Sequence, residues 1–237
     1  YLSNELNAHI LIDHVEIQNL NQFLLKDIYV EDKNGDTLLF AKRLKIDVEA
    51  IDLDNRIIQI EKIEIDSALF AMIKYQGEEK FNYAFLVDYF APKKAVKNLP
   101  YQLSIAEVEI ANSSFRLSDL NKVKKVFGVD FSNLDLTRFN ASVRNVRNGD
   151  NVFAEIDKLE FSDHSGFELQ NMKAAAKYSD SQFLLEQMSL ITNYSDINAN
   201  TLSFNYLSPY DFQTFLKDVN MSADFEQSVV NTKDMSY

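Results

Sequence analysis

One apolar spacing recurs along this chain and limits what it can fold into: h-x-h-x-x-h-x-h, with a polar pair between two apolar pairs. It reads Ile10, Ile12, Val15, Ile17, then Phe23, Leu25, Ile28, Val30, then Leu39, Ala41, Leu44, Ile46. It returns at Ile58, Ile60, Ile63, Ile65, at Leu103, Ile105, Val108, Ile110, and at Val129, Phe131, Leu134, Leu136. Further copies start at Ala154 (with Leu159 and Phe161), at Phe167, at Phe183 (with Met188 and Leu190) and at Ile197. In a chain that is 46% hydrophobic, the apolar positions alone would arise by chance about ten times, but adding the polar requirement cuts that to roughly two. Starts at 10, 23 and 39 recur with the same gaps at 154, 167 and 183, and Glu16, Phe23, Leu25, Lys33 and Asp36 recur as Glu160, Phe167, Leu169, Lys177 and Asp180. We read this as an internal repeat.

Residues i and i+2 share a face of a strand, whereas the second apolar pair has the opposite parity to the first. One extra residue at the polar pair, a β-bulge, restores the phase. Asp13-His14, Glu61-Lys62 and Asp157-Lys158 are such pairs. The rival reading, a two-residue hairpin turn at each pair, lacks the Gly and most of the Asn that such turns favour. Bulged strands therefore place Ile10 with Val15, and Ile58 with Ile63, on one apolar face. Asn34-Gly35 and Asn148-Gly149 are the strongest hairpin signals, and short connections favour an antiparallel meander. The expectation is a mainly β chain: a long, curled, antiparallel, bulged sheet forming a groove, with two short amphipathic helices. Residues 1–99 make a first β-repeat unit, 100–150 an inserted strand pair and 151–237 a second unit, together one continuous domain.

Two stretches break the strand pattern. Phe81 to Phe90, closed by Pro92, suits a short helix. Ser208 to Val219 suits another: Ser208 caps, Pro209 takes the first helical position, Asp211 completes a capping box, and Phe212, Phe215, Leu216 and Val219 form a stripe.

Net charge of −12 argues against nucleic acid and against adhesion to an anionic membrane surface. The absence of cysteine forbids disulfides and thiolate metal sites. No stretch reaches the roughly 20 apolar residues of a membrane span. The chain opens at Tyr1 rather than Met, and we expect an upstream leader or anchor. His9, His14 and His164 lack metal-ligand spacing and read as solvated structural residues. The repeated Glu16, Glu64, Glu109 and Glu160 fall on the wet face, where pairing with Lys45 or Lys62 explains them. No phosphate loop and no nucleophile elbow is present. No catalytic residue, metal ligand or cofactor is expected, and the chain does not read as an enzyme.

A sheet that is apolar on one side must bury that side. It either closes as a sandwich, a structural or adhesive module with no lipid ligand, or stays open as a trough for apolar ligand. Candidate lining residues are Ile10, Ile12, Val15, Ile17, Ile28, Val30, Leu44, Ile46, Ile58, Ile60, Ile63, Ile65, Leu103, Ile105, Val108, Ile110, Leu134, Leu136, Leu159, Phe161, Met188 and Leu190.

The opening run resembles the AsmA-like region of TamB proteins in its Bacteroidota form. Val30, Asp32, Asp36, Thr37, Leu38, Leu39, Ala41, Leu44 and Ile46 match the family's "V-x-D-x-x-x-D-T-L-L-x-A-x-x-L-x-V". The segment IEKIEIDSALFAMIKYQGEEKFNYAFLVDYF is similar to its strand and following helix, and SGFELQNMKAAAKYSDSQFLLEQMSLITNYSDINANTLSFNY to its β-repeat hairpins. The resemblance covers about residues 1 to 230. It implies a non-enzymatic periplasmic protein, anchored to the inner membrane by a helix outside this chain. A curled sheet would shield the acyl chains of phospholipid between two membranes, supporting outer-membrane biogenesis. An Omp85-family outer-membrane barrel would be the partner, through a carboxy-terminal part that this chain lacks.

Overall fold

The computed structural model describes residues 2–90, 101–125, 130–149, 151–208, 211 and 215–235. Eleven strands join one sheet in sequence order. They are β1 (Ile10–Gln18), β2 (Gln22–Glu31), β3 (Thr37–Asp52), β4 (Ile57–Lys74), β5 (Gln102–Asp119) and β6 (Asn133–Arg147). There follow β7 (Val152–Asp163), β8 (Glu168–Tyr178), β9 (Gln182–Thr192), β10 (Asp196–Asn205) and β11 (Asn220–Phe225). The helical pieces are short: α1 (Leu2–Leu6), α2 (Ala84–Phe90), α3 (Phe215–Asp218) and a 3₁₀ turn at Thr232–Met235. The chain is thus mainly β, and the sheet is open, since β1 and β11 are its two edges.

Not every pair is antiparallel. β4 and β5 run parallel, with Ile58 opposite Leu103 and Ile63 opposite Val108. A parallel step needs a long crossover, and residues 75–101, which include α2, provide it. The meander expectation fails only here, with one consequence for the repeat. Strands β7–β9 run opposite in sense to β1–β3, so the two units share a pattern but no rotation superposes them with both strand order and apolar face kept. The pattern itself holds. Two buried clusters form at corresponding positions, Ile28, Val30 and Ala41 in one and Ala174, Leu185 and Met188 in the other, joined by Leu39 and Leu44 or by Phe183 and Met172.

The bulges stand where the polar pairs predict them. Asp13 and Asp27 leave the β1–β2 ladder together, so both strands shift phase while Ile12 still opposes Ile28 and His14 still opposes Lys26. Lys62 opposes Asp47 but Ile60 opposes Val48, leaving Glu61 as the extra residue of β4. Lys158 opposes Ser142 and Ile156 opposes Val143, which makes Asp157 the extra residue of β7. Since Ile46 and Val48 share a face, their partners Ile63 and Ile60 do as well. Leu25, Ile28 and Val30 lie in one cluster, and they oppose Val15, Ile12 and Ile10.

Several phase shifts use a single left-handed residue: Asp27 (φ 49°), Ser67 (55°), Asn112 (52°), Arg138 (52°) and Gln187 (51°). Side chains replace the ladder bonds lost there. The Ala68 N–H donates to Ser113 Oγ at 3.1 Å, and the Asn112 N–H donates to Asn140 Oδ1 at 2.8 Å.

One copy of the pattern is out of register with its strand. Val129 lies outside the described residues, and Phe131 sits in a turn, 74% exposed. Asp130 makes that turn, accepting from the backbone N–H of Ser132 (3.0 Å) and Lys125 (3.0 Å). Extension starts only at Asn133, and Arg138 supplies the phase shift after Leu134 and Leu136. The helix expected over 81–90 begins at Ala84. Of the one expected over 208–219, α3 covers Phe215–Asp218, while 209–210 and 212–214 lie outside the described residues. Asp211 does reach back to the Ser208 N–H (3.0 Å), as the capping box requires.

Leu38 is fully buried at a bulge where Val30 opposes Leu39 and Glu31 opposes Thr37. We expect Leu38→Ala to cost about 2–5 kcal/mol in urea-induced unfolding; a loss below about 1 kcal/mol would mean that the site collapses around the cavity.

Candidate binding groove

Opposed residues on the apolar face line up into lanes that cross the strands. The first lane runs Ile17, Phe23, Ile46, Ile63, Val108, Val143, Ile156, Ala174, one residue from each of β1 to β8. The second runs Val15, Leu25, Leu44, Ile65, Ile110, Ala141, Leu159, from β1 to β7. A third, nearer the rim that holds Asp32 and Asp119, runs Ile10, Val30, Leu39, Phe70, Phe115, Leu136. With strands about 4.8 Å apart, eight of them give the first lane a length of roughly 34 Å. No polar side chain interrupts any of the three.

Among the described residues no second layer of strands covers this face. Every pair of strands in substantial contact is a neighbouring pair in the sheet, so the sandwich expectation is not realised among the described residues. The total accessible surface is 15116 Å², against about 11,000 Å² for a compact protein of 27.3 kDa. Val15 and Ile17, at the start of the second and first lanes, are 58% and 62% exposed.

Cover is local. Tyr83, Phe85 and Leu86, from α2 and the turn before it, pack on the cluster of Ile28, Val30, Leu38 and Ala41. A buried polar network pins this segment. Asp32 is 3% exposed, and its carboxylate accepts from the N–H of Asn34 (2.8 Å) and Asp36 (3.1 Å), from the Tyr75 hydroxyl (2.7 Å) and from Asn82 Nδ2 (2.9 Å). Asn82 also accepts from the Ile73 N–H (2.9 Å) and donates to the Ala71 carbonyl (3.1 Å). Burial pushes the Asp32 carboxyl upward, but the bonds from Asn82, Tyr75 and the two backbone N–H groups outweigh it and hold the group below its ordinary value. Burial and the Asp36 and Asp32 carboxylates together push the Tyr75 hydroxyl well above its ordinary range. Lys33 donates to the carbonyls of Leu6 and Asn7 at the end of α1 and lies 4.8 Å from the Phe85 ring centre.

The opposite face is wet and charged. Lys45 meets Glu64 at 3.4 Å, Lys62 meets Glu64 at 4.0 Å and Glu107 at 2.7 Å, and Arg144 pairs with Asp157. Ser142 donates to Glu109 (2.6 Å), Lys158 meets Glu160 (2.8 Å), and Gln18 donates to Glu16 (2.8 Å). Exposed pairs of this kind contribute little each, and they mark the solvent side. His9, His14 and His164 stand beside Glu31, Glu16 and Asp163 and are half exposed. Among the described residues no cluster has the make-up of a metal site.

The sequence-derived lining residues do not share one environment. Ile46, Ile63, Ile65, Val108, Ile110 and Leu159 line the two long lanes, and Ile58, Ile60, Leu103 and Ile105 extend the floor beyond them. Ile28, Val30 and Leu136 are buried toward the Asp32 rim, and Met188, beside Leu190, belongs to the second cluster. Sequence reasoning missed Asn82 and Tyr75, whose partner Asp32 lies far away in the chain. No family model, no curated protein and no solved structure matches this chain.

Proposed function

We propose that this chain is the acyl-chain groove of a carrier that shields phospholipid tails, part of a periplasmic protein of the AsmA-like TamB type held at the inner membrane. In that reading an Omp85-family outer-membrane barrel is the partner, through a part of the protein beyond this chain, and the role is lipid shielding between the membranes in support of outer-membrane biogenesis rather than catalysis. One observation carries it: two apolar lanes, aliphatic but for Phe23, lie across strands that no second layer covers among the described residues. An apolar face of this extent in a water-soluble setting needs a partner, and a lane about twice as long as the roughly 15 Å depth of one leaflet suits hydrocarbon tails. Charge fits as well, because the acidic groups sit on the outer face and leave the lanes free of polar side chains.

The test relies on parity. A photo-reactive residue at Ile65 or Ile110, both in the second lane, should capture phospholipid in cells, and the same probe at Glu64 or Glu109 should not. Neighbours in sequence differ here only in face, so general stickiness cannot produce the pattern. Equal labelling of the two sets, or none in either, would remove the support for a lipid groove.

A further inference from the structure

We infer that α2 is a fixed wall inside the groove, and that Tyr83, Phe85 and Leu86 close the third lane so that acyl chains run only in the first and second. This rests on the lipid reading above. Those three side chains sit on the apolar face itself, packed against the cluster of Ile28, Val30, Leu38 and Ala41, and the Tyr83 ring lies 6.5 Å from that of Phe70 in the third lane. Where α2 ends, aromatic rings continue the filling: Phe70 and Phe115 lie 6.2 Å apart, Phe139 and Phe161 6.4 Å, Phe161 and Phe167 6.3 Å. The first and second lanes contain one aromatic residue, Phe23, and are otherwise aliphatic. The face therefore divides along its length into a side where α2 packs and the ring pairs cluster, and a side that is aliphatic but for Phe23 and that α2 leaves uncovered among the described residues.

Asn82 makes the wall rigid. It is 8% exposed and bonds Asp32, the Ala71 carbonyl and the Ile73 N–H by its side chain, while its own N–H donates to the Ile73 carbonyl at 2.7 Å. A segment anchored to the rim of β4 and to the end of β2 in this way cannot swing clear of the lane without breaking a buried polar network. Its three apolar side chains thus act as specificity determinants for where a tail can lie.

The experiment uses the full chain with a photo-reactive residue at Ile63, Ile65 or Phe70, mixed with vesicles of radiolabelled diacyl phosphatidylethanolamine. Capture is expected at Ile63 and Ile65, and roughly tenfold less at Phe70. In a Phe85→Ser, Leu86→Ser background, Phe70 should rise to the level of Ile63, whose continued capture reports that the sheet is still formed. Should the double variant not fold, Phe85→Ala alone reads the same change. Wild-type capture at Phe70 equal to that at Ile63 would overturn the wall and leave the lipid groove standing. Retained capture at Ile63 with no gain at Phe70 in the α2 variant would also overturn it, because something other than α2 would then close the lane. No capture at any of the three positions would sink the lipid reading and this inference with it.

Discussion

Replacing Asp32 with Ala should lower the free energy of unfolding by about 3–5 kcal/mol, because it leaves the buried Asn82 amide and two backbone N–H groups without their acceptor and the Tyr75 hydroxyl with Asp36 alone. For a chain of this length that corresponds to a fall of roughly 10 °C in melting temperature. The effect carries a pH signature. Asp32, Asp130 and Asp163 are each buried, which raises the carboxyl pKa, yet each receives enough hydrogen bonds to end below the ordinary value. A depressed folded-state pKa adds stability that is fully present above the unfolded value, near 3.8, and is lost as pH falls through the folded value. Wild-type stability should therefore drop below about pH 4, and Asp32→Asn should show a shallower drop. A melt for Asp32→Ala within about 2 °C of wild type would show that the network around α2 contributes no net stability.

Ile63→Asp and Val108→Asp place a carboxylate in the middle of the first lane, at two residues that oppose one another across the parallel pair. In an open groove the charge stays hydrated, so both variants should fold and melt within a few degrees of wild type. Lipid capture by a probe at Ile46 in the same lane should nevertheless fall to background, because a hydrocarbon tail cannot cross a hydrated charge without a large desolvation cost. Were this face packed against a second layer, the same substitutions would bury an unpaired carboxylate and collapse the melting transition. Thermal unfolding and crosslinking on the same preparations separate the two outcomes. A large destabilisation of both variants would rule out the open lane.

Much of this arrangement is determined locally and was legible without coordinates. Parity along a strand is a property of neighbouring residues, so the spacing of Ile58, Ile60, Ile63 and Ile65 already specifies a bulge at Glu61-Lys62 and one apolar face. Glu64 on the wet face, opposite Lys45, follows from the same parity. Asn34-Gly35, with Gly35 at φ 85°, sets the β2–β3 turn for an equally local reason. The tertiary structure alone decided what depends on distant partners. Nothing within β4 or β5 states whether they pair parallel, because an apolar ladder such as Ile63 with Val108 satisfies either direction and the long crossover permits either. That choice reverses the sense of every later strand. The start of β6 was misplaced because the Asx turn of Asp130 wins over an apolar alternation that looks extended. The seat of α2 on the groove floor was illegible as well. It depends on a carboxylate at Asp32 meeting an amide at Asn82 and a hydroxyl at Tyr75, groups that only the folded sheet brings to one rim.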